Sequence, residues 1–412
     1  MLSYEAAREV VIKEALLRRG EPRIDTIDLS TGPSSALGRV LAEDIAADRD
    51  YPPFDRSTRD GYAVRSIDLC HAPRSLRLIG ESKAGAGFEG EVKQGECVQI
   101  MTGAPVPSGA DAVVMLEYTR PSDAAQKAEV VFERGAEKGQ NIVATGTEIH
   151  AGKVVVGKGS RMSHATLALA AQVGHTRLQV YRRPRIAILS TGDEVVPIDQ
   201  KPGPFEIRNS NSVSLAAQAA LAGGEPVPFG NAPDRKPELR ALIERGLEED
   251  VLVLSGGVSM GKYDLVEAVL SDLGAKFFFD AVAIRPGRPA VFGACQGKPV
   301  FGLPGNPVST MVTFELFVAP AIDILTGAEP GPLPLFKAKL RRNVEQKAAL
   351  THFLPASVSF QSEGAAVEEI PWQGSGDIVA LARANCFLVV SPAKLQLAAG
   401  DWVDVLPRRG LY

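Results

Sequence analysis

From Arg185 to Gly327 the chain alternates short aliphatic runs with helix-like ones, and no other feature constrains the fold as strongly. RIAILST, PVPFG, VLVLSGG and KPVFGLPG are apolar runs of strand length. SVSLAAQAALAGG, PELRALIERGLEE, YDLVEAVLSDLG and VSTMVTFELFVAPAIDILTG separate or follow them with the character of helices. Strands alternating with helices predict a parallel or mostly parallel sheet covered on both faces. Sheets of that kind bind ligands beyond the carboxyl ends of their strands.

Three of those ends are chemically unusual: STGDE (Ser190 to Glu194), SGGVSMGKYD (Ser255 to Asp264) and LPGNP (Leu303 to Pro307). In the second, Gly256, Gly257 and Gly261 allow backbone N–H groups to approach an anion, and Ser255 and Ser259 add hydroxyls. The helix that follows aims its positive end at the same place. Asp264, in that first turn, would cap the helix or hold a metal. Taken singly, such a loop is equally a tight strand–helix turn; three at three strand ends favour a ligand. IRPGRP sets Arg285 and Arg288 three residues apart on a Pro-Gly-Pro frame. Guanidinium forks suit phosphates and tetrahedral oxyanions, although a solvated basic turn reads the same way. Asp60, Glu148, Glu194, Asp234 and Asp264 are acids of the type that, with substrate phosphates, hold Mg²⁺ or a similar divalent cation; each alone is also a helix cap or surface charge.

Residues 4–19 predict a helix with Ala6, Val10, Val11, Ala15 and Leu16 on one face. Residues 76–132 alternate short apolar runs with Gly, Pro and Ser turns and predict a small β-rich domain. After the Pro/Gly hinge AEPGPLPLF, residues 335–412 read as a small β-barrel or sandwich. At 412 residues the chain exceeds one ordinary core. The predicted division is 1–50 with 141–180, then 51–140, 181–328 and 329–412. A formal net charge of −4 leaves no broad basic surface for nucleic acid. Cys70, Cys97, Cys295 and Cys386 form no C-x-x-C pair and suit free thiols in a reducing cytoplasm. Without a signal-peptide core or about 18 uninterrupted apolar residues, a cytoplasmic protein with no membrane partner is expected. Walker A, nucleophile-elbow and H-E-x-x-H motifs are absent.

YPPFDRSTRDGYAV (Tyr51 to Val64) holds Asp55 and Asp60 beside a Pro-Pro pair, a composition poor for strand and worse for helix interior. It introduces a series that resembles the molybdopterin molybdotransferases, that is, bacterial MoeA and the C-terminal domain of gephyrin. The matching stretches, in order, are PPFDRSTRDGYAV, IMTGAPVPSGADAVVMLE, LSTGDEVV, IRNSNSVSL, LSGGVSMGKYDLV, IRPGRPAVFG and FGLPGNPVSTMVTFEL, with a weaker continuation through QGSGDIVALARANCFLVV.

The resemblance implies a three-layer α/β molybdopterin-binding domain with a mostly parallel sheet, an inserted β-rich domain, a C-terminal β-barrel and an elongated homodimer. It implies that adenylylated molybdopterin and molybdate enter, AMP leaves and molybdenum cofactor forms, with Mg²⁺ assisting. The upstream molybdopterin adenylyltransferase and recipient molybdoenzymes would be its protein partners. Position by position, Asp60, Thr102, Glu194, Asp234, Asp264, Pro304, Pro307 and Ser375 match family site positions. Arg56 and Arg59 stand where the family usually has Asn and Met, Glu148 where Asp is common, and Arg285 and Arg288 where lysines are common. Two alternatives stay open: a relative that uses tungstate or hydrolyses another pyrophosphate-linked nucleotide, and a non-catalytic scaffold.

Overall fold

The computed structural model describes residues 1–121, 128–257, 265–346, 349–362, 364–394 and 396–410. They form two compact units. One comprises Met1–Glu43, Gly159–Ser163 and the chain from Arg177 onwards; the other comprises Asp44–Lys158 and His164–Thr176.

In the first unit, β1 (Arg185–Thr191), β2 (Glu225–Ala232), β3 (Val251–Ser255), β4 (Lys276–Phe279), β5 (Val291–Cys295) and β6 (Lys298–Leu303) form one sheet in the order β2-β1-β3-β6-β5-β4. The pairs β2/β1, β1/β3 and β3/β6 are parallel, whereas β6/β5 and β5/β4 are antiparallel. The sheet is thus mostly parallel with an antiparallel edge. That edge departs from the sequence reading, which held only β6 of its three strands. β5 and β6 join through Gln296 and Gly297, with φ of 50° and 79°. Positive φ at both positions is the requirement of a type I′ two-residue hairpin turn, for which Gln-Gly is a weaker signal than Asn-Gly.

Helices α1 (Tyr4–Arg18), α2 (Ser210–Leu221) and α5 (Pro307–Leu325) share one core with Ile186, Ile188, Val251, Val253 and Phe301 of the sheet. Helices α3 (Lys236–Gly246) and α4 (Leu265–Asp272) share the other core with Ala187, Leu189, Leu252 and Leu254. Three layers follow from strands whose alternate residues are apolar on both faces. α1, capped by the Ser3 hydroxyl, buries Ala7, Val11 and Ala15 at a spacing of four. Leu16, expected on that face, is instead 44% exposed. α5 is long and apolar enough to cross a bilayer by length and composition, but most of it is buried here as a core helix.

Farther along the same unit, β7 (Phe336–Leu340), β8 (Thr351–Gln361), β9 (Gly364–Glu369), β10 (Cys386–Val390) and β11 (Trp402–Pro407) pair in the cycle β8-β9-β7-β11-β10-β8. This is a closed five-stranded barrel around Leu354, Val367, Leu388 and Val405. The second unit holds a six-stranded sheet in the order 112–115, 61–64, 96–100, 74–82, 129–132, 119–121. Val64, Leu76, Cys97, Val114 and Phe132 fill its core.

Candidate functional site

The three loops at the carboxyl ends of β1, β3 and β6 line a single cavity of about 390 Å³. Two asparagines bind these ends together. Asn209 caps α2 by accepting from Ser212 N, and its Oδ1 also accepts from the Ser190 hydroxyl at 3.0 Å. Asn211 donates through Nδ2 to Ser255 Oγ at 2.8 Å and to the Gly305 carbonyl at 2.7 Å. Each bond ties a different strand end to the first turn of α2. The N-termini of α2 and α5 (Ser210, Asn211, Asn306 and Pro307) both line the cavity, so two positive helix ends face it. Gly257 has φ 65°, and a Cβ there would lie 2.7 Å from both Thr191 Oγ1 and Val266 Cγ2. The position demands glycine on conformation and on space.

Two acids line the same cavity: Glu194 on the β1 loop and Asp234 after β2. A Cβ on Gly192 would meet Glu194 Oε2 at 2.5 Å, so the Glu194 carboxylate folds back over its own turn. Asn231 fastens that turn by donating to the Gly192 and Val195 carbonyls. Asp234 N donates to Asp193 Oδ1 at 3.1 Å. Burial raises the Asp234 carboxyl above its ordinary value, and the neighbouring charges of Asp193 and Glu194 push it further. Acids gathered this way repel until a cation sits among them. Among the described residues no three His, Cys, Asp or Glu side chains form a ready ligand set. Hard oxygen donors are nonetheless at hand. Glu194 and Asp234 are carboxylates, and the buried Thr191 Oγ1 and Asn211 Oδ1 lack partners among the described residues. That donor chemistry fits Mg²⁺.

The other sequence-derived residues fall in several places. Ser255, Gly256, Gly257 and Pro307 line the cavity, and the Pro304 carbonyl accepts from the Thr310 hydroxyl of α5. Ser375 meets the start of α5: its carbonyl accepts from Val308 N and its hydroxyl from Asn306 Nδ2, each at 3.0 Å. Ser259, Gly261 and Asp264 lie outside the described residues. Arg285 and Arg288 are exposed and do not line the cavity. Arg285 stands on a two-residue strand paired with Thr351–His352 of the barrel, and Gly287 packs against Ser309 and Thr313 of α5. Asp60, Thr102 and Glu148 belong to the second unit. There Asp60 Oδ1 accepts from Thr102 N at 2.7 Å and from Thr102 Oγ1 at 2.9 Å, bonds that hold its carboxyl below the ordinary value. Glu148 pairs with Arg56 at 2.6 Å. Asp55 accepts from Thr145 N and Oγ1, each at 2.8 Å, and so braces its loop.

Asn209, Asn211 and Arg208, which sit in or around the cavity, carried no site signal by residue type alone. A cavity of about 510 Å³ at the amino ends of the strands is larger and lined by Arg18, Arg19, Arg23, Arg182 and Lys298. Its arginines have a structural account: Arg182 pairs with Asp250, Arg18 pairs with Glu14, and α5 ends at Leu325 on its wall. Basic side chains near a helix carbonyl end complement its dipole.

Comparison with known proteins agrees with this architecture. Residues 2–174 match the family model of the MoeA N-terminal region (domain I and II), 187–323 that of a probable molybdopterin binding domain, and 337–407 that of the MoeA C-terminal region (domain IV). The molybdopterin molybdenumtransferase of Staphylococcus epidermidis is 32% identical over 410 residues, covering 98% of this chain and 97% of that protein. The Bacillus subtilis protein of that name is 35% identical over 376 residues, covering 90% and 87%. The crystal structure of the molybdopterin biosynthesis MoeA protein from Pyrococcus horikosii superposes with a TM-score of 0.78 at 33% identity, covering 99% of both chains. With relatives this similar along their whole length, the chain belongs to the MoeA family of molybdopterin molybdenumtransferases.

Proposed function

We propose that this protein is a molybdopterin molybdotransferase that converts adenylylated molybdopterin and molybdate to molybdenum cofactor, with release of AMP. The carrying observation is the joining of three strand-end loops, two helix N-termini and an acid pair in one cavity. Those features answer the two charges of such a reaction: helix ends and glycine-loop N–H groups bind phosphate oxygens, and the acids hold a counter-cation.

Glu194 and Asp234 are the described residues that would hold Mg²⁺, with Asp264 as a further acid of the same proposal. When bound there, the ion supplies Lewis-acid polarisation of the phosphoanhydride. The residues themselves orient the substrate: Ser255 is fixed by Asn211, and Asn306 by Ser375. Such fixing converts the encounter of oxyanion and dithiolene into an oriented one. Arg285 and Arg288 are assigned to the free molybdate. Asp60 and Thr102 enter as the family's matching pair, and a homodimer is the proposed assembly.

The experiment is an assay of AMP released from adenylylated molybdopterin, with and without molybdate. Molybdate-dependent release is the predicted result. Release without molybdate would favour a pyrophosphohydrolase, and no release would favour a scaffold.

A further inference from the structure

We propose that Arg208 grips the phosphoanhydride of the adenylylated substrate and positions it against Glu194 and Asp234. The assignment rests on the function proposed above and adds a residue to it. Arg208 lies on the short strand Ile207–Arg208, which pairs in parallel with Val195–Val196. The turn carrying Glu194 therefore also places Arg208: Ile207 N donates to the Glu194 carbonyl at 2.8 Å, and Asn209 N to the Val196 carbonyl at 2.9 Å. Among the described residues that line the cavity, Arg208 is the single cation.

An exposed arginine is usually just solvated. Here three observations point to a ligand. First, Arg208 Nε donates to the Gln200 carbonyl at 3.1 Å, which fixes the side chain. Its two Nη groups have no partner among the described residues, and a guanidinium so held presents a ready fork to phosphate oxygens. Second, the next residue, Asn209, caps α2, and Arg208 lines the same cavity as the first residues of that helix, whose N-terminus favours an anion there. Third, Thr191 is only 5% exposed, lines the same cavity and has an Oγ1 without a partner among the described residues. A buried hydroxyl left unpaired is costly, and a bound phosphate oxygen would accept its hydrogen bond. Arg285 and Arg288 stand outside this cavity, so the two basic places divide the work: Arg208 takes the phosphoanhydride and the exposed turn takes the free oxyanion.

The test is calorimetric titration of wild type, Arg208→Ala and Arg208→Lys with inorganic pyrophosphate in the presence of Mg²⁺, alongside steady-state kinetics. Arg208→Ala should weaken pyrophosphate binding about 10- to 100-fold, the range for a charge-assisted hydrogen bond. Arg208→Lys should fall between the two, because charge remains while the fork is lost. KM for adenylylated molybdopterin should rise by the same factor, with kcat changed less than about 3-fold and KM for molybdate unmoved. Thermal melting should be unchanged. Arg288→Ala should show the converse, a raised KM for molybdate with pyrophosphate affinity intact. Unaltered pyrophosphate affinity in Arg208→Ala, or a wild type that does not bind pyrophosphate, would overturn the assignment. Arg208-dependent binding without AMP release would instead overturn the molybdotransferase reading and leave Arg208 as an anhydride-binding residue.

Discussion

Asp60 and Asp234 are both acids expected at the site, and the two units treat them oppositely. Asp60 accepts two hydrogen bonds from Thr102, is exposed, and is held below the ordinary carboxylate range. Asp234 is also exposed, but it lines the cavity beside Asp193 and Glu194, and partial desolvation together with their charges pushes it above that range. The anion of one carboxylate is thus favoured by its protein partners, while the anion of the other is disfavoured by its acidic neighbours and would gain from a bound cation. Their effects on stability have opposite signs. The contribution of Asp60 is present above the unfolded carboxylate value and disappears as pH falls through its lowered folded value. The contribution of Asp234 is present below the unfolded value and is lost as pH rises through its raised folded value.

The largest predicted effect follows from that contrast. Asp234→Asn should reduce Mg²⁺-dependent turnover by about 10²-fold or more, since a bound metal supplies several kcal/mol to the transition state. Its folded stability without metal should not fall, and the stability loss that Asp234 causes as pH rises should vanish. A less stable Asp234→Asn protein would mean that the carboxylate is a structural anchor. A smaller effect is predicted at Thr102. Thr102→Val removes the hydroxyl bond, so the Asp60 pKa should rise and the acid limb of activity should move to higher pH, by about one unit or less. A limb that stays in place would separate Asp60 from the chemistry. The smallest effect belongs to Glu148. Its pair with Arg56 is half-exposed, and Glu148→Gln should change stability by less than about 1 kcal/mol. A tenfold loss of Mg²⁺ affinity in that variant would bring Glu148 into the metal set.

The same contrast explains what could be read before the structure. Glu194, Ser255 and Pro307 were legible because each follows an apolar strand run and a break in hydrophobicity marks the strand end. Asp60 was legible as one acid among several, and only the resemblance carried by its whole loop matched it to a family site position. Arg208 offered no such mark: it enters the cavity through a two-residue strand pairing whose partners lie twelve positions apart, Val196 and Arg208. Asn209 and Asn211 likewise look like ordinary helix-start residues until their second bonds, to Ser190, Ser255 and Gly305, are seen. The β5–β6 hairpin hid in VFGACQGKPVFG, where little polarity separates the two strands. Local patterns specify elements, whereas these bonds depend on which strand ends become neighbours.

A crystal of the protein grown with AMP and Mg²⁺ tests the central claim most directly. The account predicts phosphate density between Arg208 and the Gly256–Gly257 turn, with the ion bound by Asp234 and Glu194. Phosphate lodged instead in the arginine-lined cavity beside Arg19 and Lys298, with the carboxyl-end cavity empty, would contradict it.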